Sequence, residues 1–319
     1  MQAGRNVLGT SAPLDLSGDP RRLRKERNVR RLFLSAAVFT ILVSVAIVLS
    51  LVGEAVAFLQ SIASEIDEGL GSLMADGWFP RRDRFDLRTI IWHTLSVSII
   101  AMLVATPLGL GAAVYLSEYA KPGVRRVLKP VLEVLAGIPS VVLGYFALRF
   151  ITPDILRNLW DTTQQSNLMA AGMGVGILII PLVSSVSEDA MQAVPRALRE
   201  ASYGLGAKKW HTSLRVVFPA ALSGIVAALI LGLSRAIGET MVVAIAAGAT
   251  GGSLLQLNPL YGGQTMTGAM ASLAIGSDQV AGGVAAFQSL FFVGLLLFLM
   301  TLVLNIGSER LVRRFRQRY

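Results

Sequence analysis

The sequence has no cysteine, only two histidines and few charged residues, which make up 15% of its 319 residues. The lack of cysteine excludes disulfides, cysteine nucleophiles, iron–sulfur clusters and thiolate zinc sites. Two histidines, His93 and His211, do not favour a multi-histidine metal site within one chain. Soluble domains carry about 25% charged residues, whereas 53% of this chain is hydrophobic. The composition therefore excludes an ordinary soluble enzyme and a disordered chain, and it indicates a membrane protein.

The apolar residues fall into six runs, each close to the roughly 20 residues that a membrane-spanning helix needs. Several runs contain Pro or Gly, which membrane helices tolerate when neighbouring helices satisfy the freed backbone groups. The predicted fold class is therefore all-α, with one polytopic domain over residues 32–306. The predicted spans are residues 32–53, 94–116, 130–151, 168–186, 219–248 and 284–306.

Lysine and arginine are distributed unequally between the two sides of these spans. Twenty-two of the 29 lie on one side, in the N-terminal tail 1–31, two connections and the C-terminal tail 307–319. Five lie on the other side, four of them between Arg81 and Arg88. Because loops rich in Lys and Arg stay in the cytoplasm, both termini are predicted to be cytoplasmic. The net charge of +9 is thus a topology signal rather than evidence for nucleic acid, and the basic tails favour contact with anionic membrane lipid.

Two segments on the predicted outer side differ in character. Residues 54–89 begin with apolar positions at helical spacing, including Phe58 and Ile62, which predicts a helix lying at the outer membrane interface. Residues 249–283 contain no Lys or Arg and are rich in Gly, Ser, Thr and Ala. They include a predicted short helix over Thr265–Ala274. This segment either dips toward the membrane or forms a binding surface.

The connection between the fourth and fifth spans, residues 195–219, carries the most specific motif. Pro195 suits the first turn of a helix, Gly204 and Gly206 interrupt it, and the apolar residues that follow have the spacing of one helix face. The segment is therefore predicted to form two short helices at the cytoplasmic membrane surface. A paired-helix element with an exposed carboxylate suits docking into a groove of a soluble partner. The alternative is a mere connecting loop.

The spacing of this loop resembles that of the permease subunits of bacterial ABC importers, which carry E-A-A, three residues, G, nine residues and I-x-L-P. Here Glu200, Ala201 and Ser202 are followed at the same spacing by Gly206 and by VVFP at 216–219. Ser for the third position, Val for Ile and Phe for Leu are small changes that remove no key group. The resemblance implies the type I ABC importer permease fold, with six transmembrane helices. It also implies that Glu200, Ala201, Ser202 and Gly206 form a coupling loop seated on an ATP-binding subunit.

Within the fifth span, Arg235 and Glu239 lie four residues apart, a spacing that predicts one shared helix face. Arg235 follows Pro219 by 16 residues, about 24 Å of helix, and so lies near or beyond the middle of the membrane. Charged groups there are costly and functional by default. One interpretation is an Arg–Glu pair that holds two helices together. The other is a guanidinium in an anion pathway, partly neutralised by Glu239, because the Arg fork suits a tetrahedral oxyanion.

The sequence RAIGETM at 235–241 resembles the RA-x-GETM signature of phosphate importer permeases. AGIPSVVLG at 136–144, and PLG at 107–109 with YLSE at 115–118, are similar to further segments of that family. The resemblance covers roughly residues 32–316 and implies a phosphate permease. The methionine that ends the signature and the long N-terminal tail favour the PstC-type subunit over its PstA-type partner. A permease for molybdate or sulfate, or the PstA-type subunit, remain the alternatives.

The chain contains no G-x-x-x-x-G-K-[ST] pattern, so it is expected to bind no ATP by itself and to be no enzyme. The resemblance implies that ATP and Mg are held by two PstB-like ATP-binding subunits. It further implies a second, PstA-like permease and an extracytoplasmic PstS-like phosphate-binding protein, in a bacterial inner membrane. No cofactor, catalytic residue, metal or nucleic acid is expected on this chain.

Two other classes of protein stay open from the sequence alone. A membrane-embedded enzyme would need a larger set of convergent groups in the spans than Arg235 and Glu239. A channel or secondary transporter would move its substrate without ATP.

Overall fold

The computed structural model describes residues 20–65, 69–248, 252–275 and 284–315, which are predominantly helical. The predicted all-α fold class is therefore confirmed. Most of the predicted N-terminal tail, the last residues of the C-terminal tail and parts of the outer segment 249–283 lie outside the described residues. The chain divides into two compact units, Met1–Ser50 and Leu51–Tyr319.

The first unit contains the beginning of helix α1, which covers Pro20–Glu65. The helix is charged up to Arg31, and an apolar run begins at Leu32. The side chains of this run are exposed, including Phe33, Phe39 and Leu49. A long helix that is apolar on every side, with its backbone groups satisfied internally, has the character of a membrane span.

The last turns of α1 belong to the second unit, where they are covered by protein. Phe58 and Ile62 are fully buried, and the Phe58 ring lies 5.1 Å from Phe85 and 5.2 Å from Phe292 between ring centroids. The prediction of an interfacial helix at the start of segment 54–89 is therefore wrong. Helical spacing identifies an apolar face, but it does not show whether lipid or protein packs against that face.

A small hairpin follows a 3-10 segment at Gly69–Met74. Its strands, β1 (Trp78–Phe79) and β2 (Arg84–Phe85), are antiparallel, with Trp78 opposite Phe85. Trp78 also exchanges two backbone hydrogen bonds with Ser253, at 2.8 and 2.9 Å. Gly252, at φ +114°, leaves no room for a Cβ beside Trp78. The hairpin thereby fixes the start of the predicted outer segment.

The remaining helices build the bundle. Three of them continue into π-helical turns, at Tyr115–Tyr119, Ala147–Leu156 and Ser213–Val217. In chain order the helices are α2 (Leu87–Val114), α3 (Pro122–Ala136), α4 (Ser140–Phe146), α5 (Arg157–Leu159), α6 (Leu168–Gln192), α7 (Arg196–Gly204), α8 (Lys209–Thr212), α9 (Phe218–Ala220), α10 (Leu222–Ile237), α11 (Met241–Ala246), α12 (Met266–Ile275) and α13 (Val284–Phe315).

Within the described residues, four helices are long and apolar enough to cross a membrane, and two bent helix pairs also qualify if each pair counts as one span. The total then reaches the predicted six. The four single candidates are Lys25–Ser64, Leu87–Tyr119, Leu168–Gln192 and Ala285–Arg310; the bent pairs are Pro122–Ala136 with Ser140–Leu159, and Lys209–Ala220 with Leu222–Ile237.

One of these bends, and a separate break in the chain after Ile237, correct two of the predicted spans. The predicted span 130–151 turns by 86° between α3 and α4, so a straight helix begins only at Ser140. The predicted span 219–248 is interrupted between Ile237 and Met241. Pro139 cannot donate a helical hydrogen bond, and glycine disfavours a helix interior. An apolar run therefore gives the length of a span but not its direction.

Helices α2 and α6 form the centre of the bundle, held close by glycines. A Cβ built on Gly172 would lie 2.6 Å from Ile100 Cβ, and one on Gly176 would lie 2.8 Å from Val104 Cβ. Small residues of this kind let membrane helices approach backbone to backbone. Gly232 of α10 packs in the same way against α6, since its Cβ would lie 3.0 Å from Ile179. Helix α10, which carries Arg235, thus packs on the α2–α6 pair, and the coupling loop follows directly after α6.

Candidate translocation site and coupling loop

The span that carries Arg235 is broken at the site itself. Helix α10 ends at Ile237, Gly238 takes the C-cap position and α11 begins at Met241. Arg235 and Glu239 therefore do not lie on one continuous helix, and the predicted shared face is wrong. The break falls at Gly238, and glycine disfavours a helix interior.

Arg235 is exposed and Glu239 is half-buried. Within the described residues Arg235 forms neither a hydrogen bond nor an ion pair, and its neighbour Ser234 donates a hydrogen bond to Asn305 of α13 at 2.9 Å. The guanidinium lies in the last turn of α10, where the helix dipole favours a cation. The structure therefore gives no support to an Arg235–Glu239 pair that holds the bundle together, and it leaves the guanidinium available.

Glu239 is held by the backbone around the break. Its Oε1 accepts a hydrogen bond from Val242 N at 3.4 Å, at the start of α11. Its carbonyl oxygen accepts a bond from Thr267 Oγ1 of α12 at 2.7 Å. Glu239 thus links the break to α11 and α12, while the Arg235 side chain remains exposed on α10.

The predicted pair of short helices in the loop 195–219 is present as α7 and as α8 with its π-helical extension. Helix α7 ends in a Schellman arrangement, in which Gly206 N donates to Tyr203 O at 2.9 Å and Ala207 N donates to Ser202 O at 3.1 Å. Gly206 adopts φ +79°, a left-handed conformation that glycine takes without strain. The spacing from Glu200 to Gly206 is therefore the length of the last turns of a helix and its cap.

The motif residues of the loop face different ways. Glu200 and Ala201 are exposed, whereas Ser202 is half-buried. The Ser202 and Thr212 hydroxyls lie 2.9 Å apart, which ties α7 to α8. Serine at the third motif position thus supplies a brace that alanine lacks.

An apolar ridge lies on the exposed side of the same loop. Leu205 is 91% exposed, and Trp210 and Leu214 are each 53% exposed. Large exposed apolar side chains mark a contact surface for protein or membrane rather than a mere connection, and the exposed carboxylate of Glu200 beside them suits a protein partner. Of the two sequence interpretations, the geometry favours the docking element.

A set of buried ion pairs behind the loop was not found by sequence reasoning. Arg199 pairs with Glu118 at 2.9 Å, and Glu188 pairs with Arg125 at 2.7 Å and with Lys129 at 3.3 Å. The Glu118 and Glu188 side chains are almost fully buried. The available signal was a carboxylate at the predicted cytoplasmic end of each of two apolar runs, close to basic connections.

His93 is buried beneath the outer segment. Its Nδ1 lies 3.2 Å from the carbonyl oxygen of Gln264, and its Nε2 accepts a hydrogen bond from Gln256 N at 3.1 Å. These partners fix a neutral ring protonated at Nδ1. The Cα of Gly263 lies so close that a Cβ there would be 2.8 Å from the ring. The histidine therefore holds the segment that precedes α12 in place. The bounds of α12, Met266–Ile275, differ by one residue at each end from the predicted short helix over Thr265–Ala274.

Asp86 caps the first turn of α2 just before the span. Its Oδ1 accepts from Arg88 N at 3.1 Å and its Oδ2 accepts from Thr89 Oγ1 at 2.7 Å. Burial by itself raises the pKa of this carboxyl, but the hydrogen bonds from Thr89 and Arg88, together with the Arg88 charge, lower the pKa below its ordinary value. Asp86 is therefore held ionised at the end of the bundle opposite the coupling loop.

Comparison with solved structures shows the fold. A bacterial ABC transporter involved in the import of the acidic polysaccharide alginate matches with a TM-score of 0.61 at 16% identity, covering 92% of this chain and 100% of the other. An inward-facing MetNI methionine ABC transporter matches with a TM-score of 0.57 at 21% identity, covering 72% and 96%. The predicted fold of type I ABC importer permeases is therefore confirmed.

Sequence comparison shows the family. The probable ABC transporter permease protein YqgH of Bacillus subtilis is 32% identical over 299 residues, 93% of this chain and 94% of that protein. The phosphate transport system permease protein PstC of Mesorhizobium japonicum is 32% identical, covering 71% and 76%, and that of Xylella fastidiosa strain 9a5c is 29% identical, covering 90% and 91%. Residues 105–319 match the model of the binding-protein-dependent transport system inner membrane component. The chain therefore belongs to the family of inner membrane components of binding-protein-dependent transport systems.

Proposed function

We propose that this chain is the PstC-type permease subunit of an ATP-driven phosphate importer, and that Arg235 lines its anion path. The observation that carries the proposal is the exposed, unpaired guanidinium at the break between α10 and α11, within the described residues. Two relatives that are called phosphate transport permeases support phosphate as the substrate.

The chemistry of the site follows from the cost of moving an anion through a membrane. A phosphate that leaves water must exchange its hydration for protein donors, and a guanidinium fork offers paired N–H groups and a fixed charge. Glu239, at the other side of the break, limits how tightly the anion is held. The loop Glu200, Ala201, Ser202 and Gly206 couples this path to the ATPase.

The partners of the proposed complex follow from the same assignment. A PstA-like permease supplies the second half of the path, two PstB-like subunits bind ATP and Mg and hydrolyse ATP, and a PstS-like protein delivers phosphate. Both termini then lie in the cytoplasm of a bacterial cell, and this chain binds no cofactor itself. Purified alone, the chain is expected to hydrolyse no ATP. ATP hydrolysis by the purified single chain would contradict this assignment.

The test is uptake of radiolabelled phosphate by proteoliposomes that contain the complete complex, with molybdate and sulfate as competitors. Arg235→Gln keeps polarity but loses charge, so uptake should fall below about a tenth of wild type, while Arg235→Lys keeps the charge without the fork and should retain a little. Membrane abundance is measured for each variant. Normal uptake by an abundant Arg235→Gln variant would contradict the anion-path role, and stronger competition by molybdate or sulfate than by phosphate would contradict phosphate as substrate.

A further inference from the structure

The Arg199 side chain joins three elements behind the coupling loop. Its Nη2 donates to Met191 O at 2.8 Å, in the last turn of α6, and its Nη1 donates to Val194 O at 2.8 Å, two residues after that helix ends. Its Nη2 also donates to Glu118 Oε1 at 2.9 Å, in the π-helical turn that continues α2. Arg199 is only 17% exposed and Glu118 only 4%. One guanidinium thus ties α7 to the ends of both central helices.

Arg199 and its neighbour Glu200 have opposite environments on one short helix. Glu200 is exposed on the docking side of the loop, whereas Arg199 is turned inward. The Ser202–Thr212 contact of 2.9 Å ties α7 to α8, so the loop holds together as one body. Arg199 connects this body to the spans, through its buried hydrogen bonds to Glu118 and Met191.

The central helices carry this attachment onward to the broken span. Helices α2 and α6 pack through glycines such as Gly172, which leave almost no free space between them. Helix α10 packs on α6 through Gly224, whose Cβ would lie 2.4 Å from Ala190 Cβ, and through Gly232. Since closely packed helices move as units rather than deform, a displacement of α7 reaches the helix that carries Arg235.

We propose that Arg199 is a positioning residue that transmits movement of the coupling loop to α2 and α6, with Glu118 as its partner. This inference rests on the proposed function. Arginine is required because its hydrogen bonds to Val194 O, Met191 O and Glu118 Oε1 point in different directions and need its planar set of N–H groups. The single ammonium group of lysine does not match this set. Arg199→Lys should therefore leave the complex assembled but loosen the link between ATP hydrolysis and transport.

The experiment measures phosphate transported per ATP hydrolysed by the complete complex in proteoliposomes, together with the amount of assembled complex. Arg199→Lys should lower this ratio about two- to thirtyfold, the fold-change that corresponds to the range in which residues outside both sites modulate coupling. Glu118→Gln keeps an acceptor oxygen and should lower the ratio less. The matched control is Arg126→Lys, an exposed position of α3 whose side chain has no ion pair within the described residues, and it should leave the ratio unchanged.

Because the chain has no cysteine, a covalent replacement of the tie is available. A double variant, Glu118→Cys with Arg199→Cys, is assembled with cysteine-free partners and joined by a short, reducible bifunctional thiol reagent. The ratio should be low before cross-linking, rise after it and fall again on reduction. A purely structural role predicts changes in assembly without this reversible change in ratio.

An unchanged ratio in assembled Arg199→Lys complexes, or no recovery on cross-linking, would overturn the inference. Failure of the proposed function is a separate result, in which the wild-type complex hydrolyses ATP but moves a different oxyanion. The ratio is then measured with that oxyanion, and it decides the role of Arg199 in the same way.

Discussion

The α2–α6 pair and the coupling loop sit next to each other but are built on opposite principles. In the pair, glycines bring two helices into close contact, as Gly172 against Ile100 shows. In the loop, the last turn of α7 is closed by local backbone hydrogen bonds, and Leu205 and Glu200 are left exposed. The contrast teaches that changes in the pair should lower the amount of folded protein in the membrane. Changes in the loop should leave that amount unchanged and lower only the transport that is coupled to ATP hydrolysis.

The largest effect is expected from the centre of the pair. Gly172→Ala places a methyl group 2.6 Å from Ile100 Cβ, and overpacking of this kind costs about 1–3 kcal/mol. We expect membrane abundance and uptake to fall together. The matched control is Gly111→Ala in α2, where a Cβ meets no atom within 4 Å, and thermal unfolding in detergent measures both. Equal stability of the two variants would contradict close packing of the pair.

The coupling loop should respond in the opposite way. Glu200→Lys reverses an exposed charge and Gly206→Trp places a bulky residue at φ +79°, so both should abolish coupled uptake while the chain stays inserted. Copurification of the ATPase subunits and phosphate uptake are measured side by side. Normal values of both quantities in the two variants would show that the loop is only a connection.

A finer comparison separates shape from strain within the same loop. Gly206 needs the left-handed region, whereas Gly204 does not, and neither glycine has an atom within 4 Å of its Cβ position. Gly206→Ala should cost about 1–2 kcal/mol of local stability, and Gly204→Ala should cost little. Partial loss of coupling in the first variant alone is the expected result, and equal effects would argue against the helix cap.

Glu239 is expected to give a milder effect than Arg235. Glu239→Gln keeps an oxygen that accepts from Val242 N, so the break between α10 and α11 survives, and Arg235 remains available. Uptake should fall by about two- to fivefold, less than for Arg235→Gln, since the cation is the group that offsets anion desolvation. Loss of membrane abundance instead of transport rate would identify Glu239 as structural only.

The smallest effect concerns the far end of the pair. The lowered pKa of Asp86 means that its ionised form stabilises the folded protein. This contribution is complete above the ordinary carboxyl pKa of about 4 and is lost as pH falls through the lower, folded value. Asp86→Asn keeps a capping oxygen, so its melting temperature should lie below that of wild type at neutral pH and converge with it in acid. A constant difference at all pH values would contradict the role of the charge.

The sequence by itself was sufficient where the deciding interactions are local. The six apolar runs predicted the all-α membrane fold, and the spacing from Glu200 to Gly206 predicted a helix and its end. Both follow from hydrogen bonds and conformational preferences within a few residues. The short helix after Thr265 was predicted for the same reason.

Only the tertiary structure decided how these elements point and which charges meet. Arg199 and Glu118 are 81 residues apart in the chain, and no periodicity links such positions. The burial of Phe58, the break after Ile237 and the exposure of Arg235 likewise depend on which helices pack together. Local sequence sets the helices through their own backbone, but the cost of burying or exposing a side chain is set by neighbours that the chain brings in from far away.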